Sequence, residues 1–252
     1  MIRVAAVGDV HVGEDNRGQL RPRLAKLGEQ ADVLLLAGDL TRHGTPAEGR
    51  LVADEFKDLS VPVVAVLGNH DYHSNAEREI TAMLSDAGVT VLECSSTVVT
   101  CNGVGTVGVA GSKGFGGGFA GKAVTAFGEP EIKAFVRHTQ RIAAHLQEQL
   151  AELEADYRIA LTHYSPVKDT LAGEPPEIYP FLGSYLLAEA VDSTCTDLAV
   201  HGHAHAGTEK GATPGGVRVR NVALPVLGRA YAVYCLDHEA SQDAADPSDK
   251  PT

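Results

Sequence analysis

Short apolar, β-branched runs recur along the chain, separated by stretches in which apolar positions repeat at helical spacing. The runs predict strands from Ile2 to Val7, Val33 to Ala37, Val63 to Leu67, Val89 to Leu92, Thr97 to Cys101 and Val104 to Val109. Four more are predicted from Tyr157 to Leu161, Leu198 to Val200, Val217 to Val222 and Ala230 to Leu236. Helical spacing covers Gln19 to Gln30, Pro46 to Leu59, Ala76 to Ala87 and Pro130 to Ala155, the last opening on a proline that suits a first turn. That longest helix is rich in charge and is expected on the outside. In "TVVTCNGVGTVGV", Asn102-Gly103 suits a type I′ hairpin turn. Alternating strands and helices are the signature of an α/β sheet.

Length and composition narrow this picture. A chain of 252 residues buries a substantial single core. One domain over residues 1–237 is expected, followed by an acidic tail, 238–252, whose low hydrophobicity and two prolines predict disorder. No apolar run reaches the ~20 residues needed to cross a bilayer, and the start "MIRVAAVGDVH" reads as a strand rather than an export signal. Cys94, Cys101, Cys195 and Cys235 form no CxxC pair and no dense framework, which points to a reducing cytoplasm. The formal charge of −12 argues against a broad nucleic-acid footprint. A small anionic substrate stays open if something local supplies positive charge.

Candidate chemistry follows the strands. "GDVH" places Asp9 and His11 after the first, "GDL" places Asp39 after the second, and "GNHD" places Asn69, His70 and Asp71 after the third. Later, "THYSP" ends a strand at His163 and "HGHAH" follows another with His201, His203 and His205. Strand carboxyl ends line the ligand crevice of open α/β sheets. A single Asp there is usually a turn residue or helix cap, but five such ends together offer carboxylate, amide and imidazole donors. This borderline set suits Mn, Fe, Zn or Co.

In order and residue identity, "DVH", "GDL", "GNHD", "THYSP" and "GHAH" resemble the calcineurin-like metallophosphoesterases, from Asp9 to His205. The resemblance implies a four-layer αββα sandwich of two packed mixed β-sheets flanked by helices. It implies a dinuclear centre in which Asp9, His11 and His205 bind one ion, Asn69, His163 and His203 bind the other, and Asp39 bridges. His70 would reach the phosphate or leaving oxygen, with Asp71 orienting it, and Asn69 would also touch substrate. Two metals ~3.5–4 Å apart can hold a bridging hydroxide as nucleophile and clamp the phosphoryl oxygens. Their charge would attract phosphate to an acidic protein. One departure is clear: purple acid phosphatases carry a tyrosine ligand three residues after the bridging aspartate, where this chain has Arg42.

Two tempting motifs are declined. "GVGTVG", Gly103 to Gly108, continues as strand without opening a helix, and "GGGFAGKA" puts Ala123 where a Walker loop needs Ser or Thr. The segment 111–121 that surrounds the second is a glycine-rich connection. It either merely links elements or closes over substrate with Lys113 or Lys122 near the phosphate.

The expected function is therefore a phosphoesterase acting on a small phosphomonoester or phosphodiester, possible substrates including a nucleotide or cyclic nucleotide. A scaffold protein and a protein phosphatase are the alternatives. The first predicts lost ligands, and none is lost; for the second no docking element is visible. His201 shares the alternation of its neighbours but matches no ligand position, and is expected to support the site from the strand end.

Overall fold

The computed structural model describes residues 1–101 and 103–237, so the tail expected to be disordered lies outside the described residues. Among the described residues, thirteen strands form two large sheets and one two-stranded ladder. The first sheet contains β1 (Ile2–Val7), β2 (Val33–Ala37), β3 (Val63–Val66), β4 (Val89–Leu92) and β13 (Ala232–Leu236), in the order β13-β1-β2-β3-β4. The second contains β5 (Ser95–Cys101), β6 (Gly105–Ser112), β9 (Tyr157–Thr162), β10 (Leu198–His201), β11 (Lys210–Ala212) and β12 (Arg218–Asn221), in the order β11-β12-β10-β9-β6-β5. β7 (Gly118–Phe119) and β8 (Lys122–Ala123) make the small ladder. The central strands of both large sheets are parallel; in the first sheet the edge β13 is antiparallel and the edge β4 parallel, whereas both edges of the second are antiparallel.

Side-chain alternation explains the layering. In β1, Ile2, Val4 and Ala6 face the second sheet, while Ala5 and Val7 face helices. In β2, Val33, Leu35 and Ala37 face inward, while Leu34 and Leu36 face outward. The inward set meets Val107, Val109, Ile159, Leu161, Leu198 and Val200 across the interface, forming the central core. Outside the first sheet lie α2 (Pro46–Phe56) and α3 (Glu77–Asp86). Outside the second lie α4 (Pro130–Glu152) and α6 (Tyr185–Asp192). The result is the αββα sandwich expected. Each fully buried Val, Leu or Ile contributes ~1.5–3 kcal/mol, so the strand ends are held by a large apolar core.

Three local differences have physical causes. The helix predicted from Gln19 to Gln30 is instead a 3-10 turn at Arg21–Leu24 followed by α1 (Leu27–Gln30). Pro22 has no N–H and is tolerated only in a first turn, so helix cannot extend through it from Gln19. β5 and β6 are joined by residues 102–104, with Val104 N donating to Cys101 O; Asn102 of the predicted turn lies outside the described residues. α6 and the four-residue helices α5 (Tyr179–Leu182) and α7 (Leu224–Leu227) were not predicted, although Ser184 caps α6 by accepting from Leu186 N. α4 runs along the outside as predicted, burying Val136, Ile142, Ala143, Leu146 and Leu150 on one face.

Candidate metal centre

The carboxyl ends of β1, β2 and β3 in one sheet meet those of β9 and β10 in the other, and the predicted residues converge there. Asp9, His11, Asp39 and His205 form one group whose donor atoms all lie within 4.8 Å of one another. Asp39, His163 and His203 form a second group by the same measure, so Asp39 belongs to both. Asn69 joins the second, its Oδ1 lying 2.9 Å from His163 Nε2. Depth grades across the site. Asp9, Asp39 and His163 are buried at its floor, whereas His70 and His205 are each 43% exposed at its mouth.

Backbone geometry makes this convergence possible. Asp9, His11, Asp39 and His203 all have positive φ, between +43° and +71°. Left-handed backbone is uncommon for residues with a Cβ and is concentrated at functional sites. It turns the chain sharply at the strand end and keeps the side chain in the gap. Neighbouring glycines clear the space: a Cβ on Gly68 would overlap Asp39 Oδ1, and one on Gly202 would overlap Asp9 Oδ2.

Hydrogen bonding shows what the site is arranged to accept. His163 is fully buried, and burial holds its pKa well below the ordinary imidazole value. Its Nδ1 donates to the Ala37 carbonyl at 2.9 Å, which leaves the Nε2 lone pair facing Asp39 Oδ1 at 3.3 Å and Asn69 Oδ1 at 2.9 Å. Three acceptors thus point at one another. The other group repeats the pattern: His11 Nε2 and His205 Nε2 lie 3.5 Å apart, and His205 Nε2 is 2.8 Å from Asp9 Oδ1. Among the described residues, no Lys or Arg lies within ion-pair distance of Asp9 or Asp39. Buried carboxylates without a cation are costly. The donor set therefore fits divalent metal ions, which would supply the missing charge.

Protonation suits the same role. Burial pushes His11 down to about 4 and His203 down to about 3, so both are neutral and have a lone pair free for a metal. His203 Nε2 donates to the Phe181 carbonyl at 3.2 Å, leaving Nδ1 unprotonated. Asp9 is raised by burial to about 6, and His205 is raised by its hydrogen bond to Asp9. In that pair, a metal would replace the shared proton.

One expectation, that Asp71 orients His70, is corrected. Asp71 does not orient His70: its carboxylate accepts from Leu40 N, Thr41 N, Thr41 Oγ1 and Gly68 N, all within 3.2 Å. With its acceptors occupied, Asp71 ties the loop after β2 to the loop after β3. The partner of His70 Nδ1 is the Arg42 carbonyl at 2.7 Å. His201 is fully buried, but it bonds to Thr170 Oγ1, Ser165 Oγ and the Gly202 carbonyl rather than to any candidate ligand side chain. It braces the loop that follows β9. Backbone carbonyls such as those of Ala37, Arg42 and Phe181 leave no trace in residue identity, and sequence reasoning missed them.

Lys113 lies beside the site. Its carbonyl accepts from His163 N and Tyr164 N at 3.0 Å, and its ammonium sits 5.0–5.3 Å from the ring centres of Tyr72, Phe115 and Tyr164. Lys122 is exposed on the small ladder, near Tyr179. A larger cavity, about 600 Å³, opens between Phe119, Pro166, Tyr185 and Pro214 and contains no candidate ligand.

Comparison with known proteins settles the family. The profile of the calcineurin-like phosphoesterases matches residues 2–207, most of the chain and every candidate ligand. The chain belongs to that family. Its members are metal-dependent hydrolases of phosphoester bonds. A curated relative from Synechococcus, named a probable cyclic nucleotide phosphodiesterase, is 34% identical over 80 residues. That stretch is 28% of this chain and 31% of the relative, so the chain spans about a third of the curated protein it matches. Among solved structures, the phosphopantetheinyl hydrolase of Mycobacterium tuberculosis is similar with a TM-score of 0.65 at 15% identity, covering 94% of this chain and 96% of that one. The protein titled GAP50, the anchor in the inner membrane complex of Plasmodium, is similar with a TM-score of 0.56 at 16% identity, covering 89% of this chain and 72% of that one. At such identities these likenesses establish the fold. Among the described residues, no helix is long and apolar enough to cross a membrane.

Proposed function

We propose that the protein is a two-metal phosphoesterase that hydrolyses a phosphomonoester or phosphodiester of a small molecule, with nucleotides and cyclic nucleotides among the candidates. One observation carries this reading: two clusters of acceptor atoms from five strand ends share Asp39 and, among the described residues, have no Lys or Arg between them. Asp9, His11 and His205 would hold one ion, Asn69, His163 and His203 the other, and Asp39 both. The Asp, Asn and His donors fit Mn, Fe, Zn or Co better than Ca. Two such ions, when bound, supply Lewis acidity and an activated water at neutral pH.

The protein's own groups do the rest. His70 sits at the open mouth with Nε2 3.9 Å from Asp39 Oδ2. Because Nδ1–H is committed to the Arg42 carbonyl, Nε2 carries a proton only in the imidazolium form. His70 therefore presents Nε2 toward the phosphoryl or leaving oxygen as the general acid. Asp71 holds the Asp39 and Asn69 loops at fixed separation. Lys113 stands at the edge as a substrate-binding cation.

The catalytic domain is taken as residues 1–237, and the four widely spaced cysteines support a cytoplasmic setting. The deciding experiment assays purified, Mn-reconstituted protein on p-nitrophenyl phosphate and bis-p-nitrophenyl phosphate, with elemental analysis alongside. Turnover of either, together with two bound ions per chain, is expected. Two bound ions without turnover of either substrate would favour a metal-binding scaffold, and no bound ions would refute the centre itself.

A further inference from the structure

A second cluster of charge lies beside the candidate centre and has no part in holding metal. Lys113 follows β6, and Tyr164, the residue after His163, forms a common wall: its ring centre is 4.4 Å from that of His203 and 5.3 Å from Lys113 Nζ. Beyond Lys113 opens a cavity of about 380 Å³, lined by Tyr72, Glu93, His138, Arg141, Ile142 and His145 together with Cys94. That volume lies within the ~300–1,000 Å³ typical of small-molecule sites.

The cavity is charged in a particular way. His138, Arg141 and His145 are spaced three and four residues apart on α4, so they share one helix face above the cavity. Among the described residues, neither the Lys113 ammonium nor the Arg141 guanidinium makes an ion pair. Lys113 is nonetheless largely enclosed, held between the faces of three aromatic rings. Such contacts fix a cation's position while leaving its N–H donors free. Glu93 is the one acidic residue present, and its carboxylate already accepts from Tyr72 Oη and Lys113 N, both at 3.3 Å. Burial lowers the Lys113 pKa, a cost that an incoming anion would offset. In a chain of net charge −12, two unpaired cations over one cavity are a local reversal.

We propose that this cavity binds a second phosphate of the substrate, remote from the scissile phosphoryl group, through Lys113 and Arg141, with His138 and His145 as hydrogen-bonding partners. The proposal rests on the phosphoesterase reading and sharpens it. The preferred substrates would be phosphoesters carrying an additional phosphate, ahead of esters whose only anion is the one under attack.

Paired probes test this: a nucleoside 5′-(p-nitrophenyl phosphate) with and without a 3′-phosphate, assayed on the Mn-loaded full chain. The 3′-phosphorylated probe is expected to show the higher kcat/KM by about tenfold, the scale of one hydrogen bond to a charged group. Lys113→Met and Arg141→Gln should each collapse that ratio toward one, and Asp39→Asn should abolish both reactions. Arg141 is exposed on a helix, so its variant guards against a Lys113→Met chain that does not fold. Turnover of both probes with no preference would overturn the second-phosphate site and leave the phosphoesterase reading intact. If neither probe is turned over, a direct arm still decides. Inorganic phosphate titrated into chelator-treated full chain should shift the His138 and His145 ring resonances saturably in wild type and not in Arg141→Gln. Absence of a saturable shift in wild type would refute the site.

Discussion

Asp71→Asn separates two roles for one carboxylate, and the structure sets the size of the effect. Asp71 Oδ1 accepts from Thr41 N and Thr41 Oγ1, and Oδ2 accepts from Leu40 N and Gly68 N. An amide must turn its NH2 toward one of these pairs. Facing Thr41 is cheaper, because the hydroxyl can rotate and only one buried N–H is orphaned, at ~1–3 kcal/mol. The two bonds left on the oxygen lose their charge assistance, at roughly 1 kcal/mol each. Burial pushes the Asp71 carboxyl up to about 6, so removing the charge recovers part of this. A net loss of about 1–2 kcal/mol remains, which for a domain of this size lowers Tm by ~2–8 °C. Differential scanning calorimetry and elemental analysis should show the lower Tm with weakened metal retention, since the Asp39 and Asn69 loops are no longer tied. An unchanged Tm with full metal and a collapsed kcat would refute this account and restore Asp71 as a direct partner of His70.

Four further outcomes are expected. His70→Gln should lower kcat by ~10²–10⁴ with metal content unchanged, and loss of a metal equivalent by elemental analysis would make His70 a ligand. Gly68→Ala and Gly202→Ala should each lose bound metal while the far-ultraviolet circular dichroism stays native, because the added methyl displaces Asp39 or Asp9; full metal occupancy in both would contradict the packing described. His201→Ala should lower Tm with both metals retained, since its partners are Thr170, Ser165 and a carbonyl. Chelation should lower the Tm of wild type reversibly, by the equivalent of ~2.7 kcal/mol when free metal had stood at a hundred times its Kd, and an insensitive Tm would count against ions buried among Asp9 and Asp39.

Most of the candidate centre was legible because its residues sit where strands end, and strand ends are marked by composition. The β-branched runs before Asp9, Asp39, Asn69, His163 and His203 could be read directly. A shared strand-end rim then followed from the rule that parallel strands gather ligands at their carboxyl ends. What could not be read was anything carried by the main chain. The Arg42 carbonyl that accepts from His70 Nδ1 looks like any other carbonyl, whereas the resemblance implied the adjacent Asp71 as the partner. His201 shares the alternation of His203 and His205 but matches no ligand position, and its buried ring bonds Thr170, Ser165 and the Gly202 carbonyl from the strand end. The helix from Gln19 failed for a different reason. Apolar spacing at Leu20, Leu24 and Leu27 is preserved in the packed structure, yet Pro22 keeps helix from running through from Gln19 and the chain breaks again at Lys26 before α1.

The left-handed residues indicate why the site requires the whole sandwich beneath it. Strained backbone of this kind costs on the order of 1–3 kcal/mol per residue, and Asp9, His11, Asp39 and His203 all adopt it within one cluster. Each lies directly beyond a strand whose inward residues are fully buried between the sheets, as Val4, Ala6, Leu35 and Val200 are. A relaxed turn at any of these four would swing its side chain out of the gap. The strand cores oppose that release, since freeing the turn would require shifting a register fixed on both faces. Bound metal would add to the same restraint from the other end, because ligands from β1, β2 and β10 would share ions with those from β3 and β9. The sheets and the metals would therefore hold the strained ends jointly. Removing metal is accordingly expected to loosen these five strand ends first, as faster amide hydrogen exchange at residues 9–11, 39, 69 and 203–205 than in the strands behind them.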